Sequence, residues 1–346
     1  MDSSWYQNQL ELLLSDQSCY SPNPEYSAPA MLVELKRLSK NSKQVFKNDS
    51  LIQLVNDIEE KVYQRRPHYK IPVMYLLPKI HKSPIGVRPI VPSFPWITHT
   101  ISEFVDRNLR DILSDFTHDL PDTPTLIRAL EQYTFDPYYD YYVCAYDVIN
   151  MYGNIDIDEA IDTINCYFDG QPEEIEVFNL LRLARWVNYN CIVSDGRNTY
   201  RQVKGLAMGT PMAPTIARLF ACCVEEGYLF KSDPISHVFL DTDEDYFEEL
   251  DSLTGVVFDL QIYRYIDDGF AIFKIPRYQG VYTYTPSIAN DLFWYFDMCL
   301  KKIYADCRSI NITIDHGALG RKVVMLDLII SIVDEGYNLR FDIAPY

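Results

Sequence analysis

Gln261-Ile-Tyr-Arg264-Tyr-Ile-Asp267-Asp268-Gly269-Phe-Ala-Ile-Phe-Lys274 decides the reading of the fold, because two apolar, aromatic-rich runs flank an Asp-Asp-Gly triplet. Runs of this kind around a glycine-bearing turn predict a β-hairpin, with Gly269 available for a positive φ. Two adjacent aspartates at a hairpin tip repel each other, and no basic partner for them is obvious nearby in sequence. A divalent cation would remove that cost, and hard oxygen donors are what Mg2+ takes. The bland alternative is an ordinary surface turn.

A third carboxylate on a neighbouring strand would complete a two-metal site, which activates an attacking oxygen and stabilises a leaving one. Asp147 is the candidate. Residues 141–148 predict a strand on which Val143, Ala145 and Asp147 share a face. A charge on that face needs a reason. Either Asp147 is a metal ligand, or it caps the following turn. Spacing alone leaves both readings open.

Around these two strands the pattern is mixed. Helical spacing marks 31–38, 51–62, 101–113, 178–187 and 291–303. Pro22-Asn-Pro24 and Ser27-Ala-Pro29 predict a loop that no helix crosses. Asp156 and Glu159 predict a capping box opening a helix that buries Ala160, Ile161, Ile164, Tyr167 and Phe168. Pro214 suits a first helical position, ahead of buried Ile216, Leu219, Phe220 and Cys223. Extended segments are expected at 73–77, 86–91, 200–204, 310–314, 323–332 and 339–343. The fold class is α+β, a mostly antiparallel sheet packed on helices.

Composition bounds the function. With 48% hydrophobic and 23% charged residues in 346, the chain reads as globular, with two or three sections. No run of about 18 apolar residues suggests a membrane span, and no secretory signal is evident. The eight cysteines form no C-x-x-C pair. The expectation is therefore reduced thiols, an intracellular location and no membrane partner. A formal net charge of −18 argues against nucleic acid. Its distribution argues the other way. Residues 61–102 contain no Asp or Glu but hold Lys61, Arg65, Arg66, Lys70, Lys79, Lys82 and Arg88. That segment reads either as a phosphate-facing surface or as a solvated face. The acids concentrate instead in 231–260.

Several segments resemble the successive motifs of reverse transcriptases, most of all the Penelope-like element group. Tyr75-Leu-Leu-Pro-Lys79-Ile-His-Lys82 with Arg88-Pro-Ile resembles the fingers signature. Ala145-Tyr-Asp147-Val-Ile-Asn-Met-Tyr152-Gly-Asn-Ile155 resembles the first palm motif. Gln202-Val-Lys-Gly205-Leu-Ala-Met208-Gly209-Thr-Pro-Met-Ala-Pro214 resembles the second, and Arg264-Tyr-Ile-Asp267-Asp268 the third. Asn311-Ile-Thr313 and Met325-Leu-Asp327-Leu328 resemble the closing palm strands. The likeness runs from about residue 75 to 330. Gly153 and Asp156 depart from the first palm motif, which usually has Thr and Pro there.

The resemblance implies a right-hand polymerase: an N-terminal helical extension (1–60), a fingers-like segment (61–118) and a palm (119–346) with an acidic insertion (231–260). It implies an RNA-directed DNA polymerase that takes dNTP and a primed RNA or DNA template. Asp147, Asp267 and Asp268 would be the catalytic carboxylates, holding two Mg2+ ions, or Mn2+ in their place. Lys79 and Arg88 would contact the triphosphate. Tyr152 would be the steric gate against a 2′-hydroxyl. Gly205, Met208 and Gly209 would allow close backbone approach. Arg65, Arg66, Lys70 and Lys82 would contact nucleic acid, and Arg321 or Lys322 would protonate pyrophosphate. On this resemblance the expectation is a chain that reaches about to where the family's thumb begins, without the thumb or a GIY-YIG-like nuclease module. A protein partner supplying the thumb's grip is the corresponding expectation. The alternative is a domesticated palm serving as a structural or interaction subunit of a larger assembly.

Overall fold

The computed structural model describes residues 2–42, 50–64, 69–80, 83–229, 259–276, 297, 300–314, 320–334 and 338–346. In chain order the elements are α1 (Ser3–Ser15), β1 (Tyr20–Pro22), α2 (Ala28–Asn41), α3 (Ser50–Tyr63), β2 (Tyr75–Lys79), β3 (Gly86–Ile90) and α4 (His99–Leu113). There follow α5 (Thr123–Glu131), β4 (Tyr139–Val148), α6 (Met151–Asn154), α7 (Ile157–Phe168), α8 (Glu174–Tyr189), β5 (Ile192–Ser194), β6 (Thr199–Gln202) and α9 (Met212–Leu229). The chain closes with β7 (Asp259–Tyr265), β8 (Asp268–Pro276), β9 (Ile312–Ile314), β10 (Lys322–Met325), β11 (Leu328–Asp334) and β12 (Leu339–Pro345). The class is mixed α+β, and every pair of these strands is antiparallel.

The chain groups into two compact units. One comprises Met1–Asp115 with Tyr152–Phe220, the other Phe116–Met151 with Ala221–Tyr346. In the first, helix starts follow the sequence. Ser27 accepts the N–H of Ala30 and Asp156 those of Asp158 and Glu159, satisfying donors that a helix leaves orphaned. Leu10 and Leu14 of α1 pack with Tyr20, Met74, Leu76, Val91, Val193 and Ala207. The β2–β3 hairpin and the sheet β1-β6-β5 belong to this unit.

The second unit holds the four-stranded sheet β7-β8-β4-β9 and the three-stranded sheet β10-β11-β12. Tyr141, Val143, Phe270 and Ile272 from the first meet Val323, Met325, Ile330 and Ile332 from the second, together with Leu126 and Leu130 of α5. These residues pack into one apolar core.

Several expectations need correction. Ser27-Ala-Pro29 is not a loop but the start of α2, with Ser27 as cap and proline in the first turn, where no N–H is missed. Pro214 is the third residue of α9 rather than the first. Tyr167 is half-buried, not core. The strand expected over 323–332 is the hairpin β10–β11. Its two-residue turn, Leu326 (φ +49°) and Asp327 (φ +60°), carries no glycine, and apolar residues run straight through it. Most of the helix expected over 291–303 and the acidic insertion over 231–260 fall outside the described residues.

A candidate carboxylate centre and its buried support

The geometry of the second unit starts from strand register. On β4, Asp147 is the direct cross-strand partner of Asp268 on β8, and of Thr313 on β9. Directly opposed residues carry Cβ atoms about 5 Å apart. Asp268 also pairs with Tyr265, so Ile266 and Asp267 form a two-residue turn. The Val148 N–H donates to the Asp267 carbonyl at 2.8 Å, tying this turn to the end of β4. Asp147, distant in sequence from the adjacent Asp267 and Asp268, therefore comes together with them at one end of one sheet. Asp147 is exposed, and Asp267 and Asp268 are half-buried.

Electrostatics reports the crowding. Burial first, and then the charges of Asp267, Asp147 and Asp327, push the Asp268 carboxyl up to about 6. Asp327, in the β10–β11 turn, is a fourth acid acting on the site that sequence reasoning did not single out.

The positive φ of the hairpin is not at Gly269. It falls on Ile266 (φ +56°), a β-branched residue for which that conformation is strained. Gly269 is required for a different reason. It faces Tyr146 across the ladder, and a Cβ there would lie 2.0 Å from the Tyr146 ring. Gly269→Ala should therefore destabilise the protein by about 3 kcal/mol, since neither a ring nor a sheet can give way that far. Urea unfolding would measure this. Gly227→Ala, whose Cβ meets nothing within 4 Å, should change stability by no more than about 1 kcal/mol.

Behind the turn lies a buried charge cluster that the sequence reading missed. Arg264 and Glu225 are both fully buried. Arg264 Nε donates to Glu225 Oε1 at 2.6 Å and Nη2 to Glu225 Oε2 at 3.2 Å. Nη2 also reaches Cys222 Sγ at 3.0 Å, and Nη1 lies 3.5 Å from Asp119 Oδ1. His118 Nε2 is 2.8 Å from Glu225 Oε2, and the Tyr304 hydroxyl donates to Oε1 at 2.5 Å. Among the described residues, His118, Cys222 and Glu225 form the trio whose possible ligand atoms lie within 4.8 Å of one another. The guanidinium already serves as the cation there. Burial pushes the Cys222 thiol far up, so it offers no thiolate to a metal.

This cluster left a legible signal. Ile262 and Arg264 share one face of β7 and both are buried, and a buried charge demands a partner. Cys222 and Glu225 stand three apart on one face of α9, which is where that partner comes from.

In the first unit, Lys79 pairs with Gly86 and Leu77 with Arg88. Lys79 and Arg88 are thus diagonal neighbours on one face of the hairpin, Lys79 half-buried and Arg88 exposed. Gly205 (φ +81°) packs so closely that a Cβ would lie 2.7 Å from the Tyr152 carbonyl oxygen, which accepts the Leu206 N–H at 2.7 Å. Gly209 (φ +122°) presses equally on the Val91 carbonyl, at 2.5 Å for a Cβ, while Val91 N–H donates to the Met208 carbonyl. Gly205 and Gly209 therefore have backbone reasons to be glycine. Tyr152 and Met208 are half-buried and Lys70 is exposed. Arg65, Arg66 and Lys82 lie outside the described residues.

Among the described residues no helix is long and apolar enough to cross a membrane, and the cysteines are free thiols. No family model and no curated protein matches the chain. Among solved structures, it is similar to telomerase from Candida albicans in complex with a TWJ fragment of telomeric RNA, at 10% identity and TM-score 0.48, over 95% of this chain and 48% of that one. Apo telomerase from Candida tropicalis truncated from the C-terminal domain gives 11% identity and TM-score 0.46, over 82% of this chain and 56% of that one. The chain spans about half the length of these structures. Overlap this loose says nothing about the site, whose case rests on its own residues.

Proposed function

We propose that the chain is a template-dependent nucleotidyltransferase of the reverse-transcriptase type, adding dNTP to a primer 3′-hydroxyl on an RNA template. The observation that carries the reading is the pairing of Asp147 with Asp268 across adjacent strands, with Asp267 in the turn beside them. The donor set fits divalent ions: three hard carboxylates, one of them pushed up to about 6 by burial and its neighbours' charges. Asp147, Asp267 and Asp268 would hold two Mg2+, or Mn2+, which when bound stabilise charge on the attacking and leaving oxygens.

The other assignments follow the motif order. Lys79 and Arg88, side by side on their hairpin, bind triphosphate oxygens. Gly205, Met208 and Gly209 present backbone to nucleotide and template. Arg65, Arg66, Lys70 and Lys82 bind nucleic-acid phosphates. Arg321 or Lys322 donates a proton to the leaving pyrophosphate. The motif order most resembles that of the Penelope-like group. Primer extension on a primed RNA template, with Asp267→Ala/Asp268→Ala as control, tests the reading. Incorporation by wild type alone is expected. No signal above the control across several templates, with Mn2+ tried, leaves the scaffold reading, which the net charge of −18 favours.

Tyr152 is assigned the steric gate. Tyr152→Val should raise the rNTP/dNTP incorporation ratio by about tenfold or more, because removing the ring relieves a clash with the 2′-hydroxyl and leaves dNTP untouched. Competition assays read that ratio, and an unchanged value would remove the assignment.

A further inference from the structure

The turn that carries Asp267 and Asp268 is strained, and one buried side chain reaches into it. Arg264 Nη1 donates to the carbonyl of Ile266, the residue at φ +56°, at 3.0 Å. The same guanidinium is fixed on its other edge by Glu225. Its backbone is fixed as well. Arg264 N–H donates to the His118 carbonyl at 2.8 Å, and its carbonyl accepts from Leu120 N–H at 2.7 Å. Glu225 is in turn held by His118 and Tyr304. A β-branched residue keeps a left-handed conformation only where its surroundings over-determine it.

We propose that Arg264, clamped by Glu225, is a positioning residue that holds the Ile266–Asp267 turn, and through it the aspartate pair, in its metal-binding geometry. The proposal rests on reading these aspartates as the metal centre. In this role Arg264 acts through the Ile266 carbonyl. The planar fork is what suits it to the task. Nε and Nη2 serve Glu225 while Nη1 serves the turn, a span that a single ammonium cannot reproduce.

The test uses the full chain. Arg264→Lys keeps the charge and loses the fork. Two readouts are taken without substrate: amide hydrogen exchange of residues 266–268, and Mn2+ affinity followed by electron paramagnetic resonance. Exchange at the turn should accelerate, and Mn2+ affinity should fall about tenfold to a hundredfold, as when an outer-shell partner is lost. Leu126→Ala, a core truncation in the same unit, should lower the melting temperature without changing either readout. Turn exchange and Mn2+ affinity equal to wild type in folded Arg264→Lys would overturn the proposal. So would equal shifts in Leu126→Ala, which would reduce Arg264 to a merely structural role. No Mn2+ binding by wild type itself overturns the underlying reading of the site, a result distinct from a loss confined to the variant. Should Arg264→Lys fail to fold, Tyr304→Phe removes one hydrogen bond from Glu225 and keeps every charge. Both readouts should then shift in the same direction, and unshifted values overturn the proposal.

Discussion

Asp268→Asn is expected to make the metal-free protein more stable and at the same time to abolish nucleotide incorporation. The stability half follows from linkage. Asp268 has its carboxyl raised from 3.8 to about 6. The folded state therefore holds the proton more tightly than the unfolded chain does. Ionisation of Asp268 opposes folding, so stability declines as pH rises from about 4 through about 6 and stays lower above that. Asparagine removes the penalty. At neutral pH the gain should be about 1 kcal/mol, less than the full shift implies because the side chain keeps contact with water. Below pH 4 no gain should appear.

Mg2+ should reverse the order. Wild type gains stability with added ion and Asp268→Asn does not, because ligand binding to the folded state stabilises by mass action. The proton competes with the metal at this carboxyl, so Mn2+ affinity of wild type should rise with pH and level off above about 6. The activity half is larger. Loss of one ligand removes roughly 4 kcal/mol of transition-state stabilisation, about a thousandfold in rate. Urea unfolding with and without Mg2+, beside primer extension, measures both. Equal stability of the two proteins at neutral pH, with no Mg2+ response in wild type, would mean that the three acids do not act on one another.

The parts of this arrangement that depend on local pattern were legible in the sequence. The two apolar runs around Asp267-Asp268 had to form a hairpin, and the alternation of Val143, Ala145 and Asp147 put the acid on a definite face. Cross-strand register was not local, yet the chemistry anticipated it: a charged pair at a tip asks for a partner cation, and the third acid had to come from another strand. What escaped was governed by contact between distant residues. Gly269 looked like a turn glycine because sequence shows φ preferences and not the Tyr146 ring above it. Leu326-Asp327 hid a turn because positive φ there is imposed by the ladder on either side, without a glycine to announce it. Glu225 precedes the acidic stretch in sequence and nothing local marks it as buried, yet it is the most deeply buried acid among the described residues. The two units interleave along the chain, which no composition shift marks.

Glu225 should prove the most costly single side chain to remove. Glu225→Ala takes from the buried Arg264 guanidinium its bidentate partner, leaving Asp119 at 3.5 Å among the described carboxylates. Breaking one partner of a buried pair costs about 3–5 kcal/mol, most of it the penalty of an uncompensated charge. The loss should be visible as a large fall in the urea midpoint with no change in slope. It should also depend on pH in a predictable sense. Burial alone would raise Glu225, but the Arg264 charge and the His118 hydrogen bond outweigh it and hold the carboxyl near 2, against an ordinary value of 4.5. The folded state thus releases the proton more readily than the unfolded chain. The stabilisation is complete above 4.5 and drains away as pH falls from 4.5 towards 2. Glu225→Gln should flatten wild-type acid lability across that window.

A double replacement separates holding the fold from holding the turn. Glu225→Leu with Arg264→Met puts apolar volume where two charges were, and such exchanges are often neutral or stabilising. The double variant should therefore recover most of the stability lost in Glu225→Ala while Ile266 still lacks its donor. If it also restored wild-type acid lability between 4.5 and 2, the source of that lability would lie outside this pair.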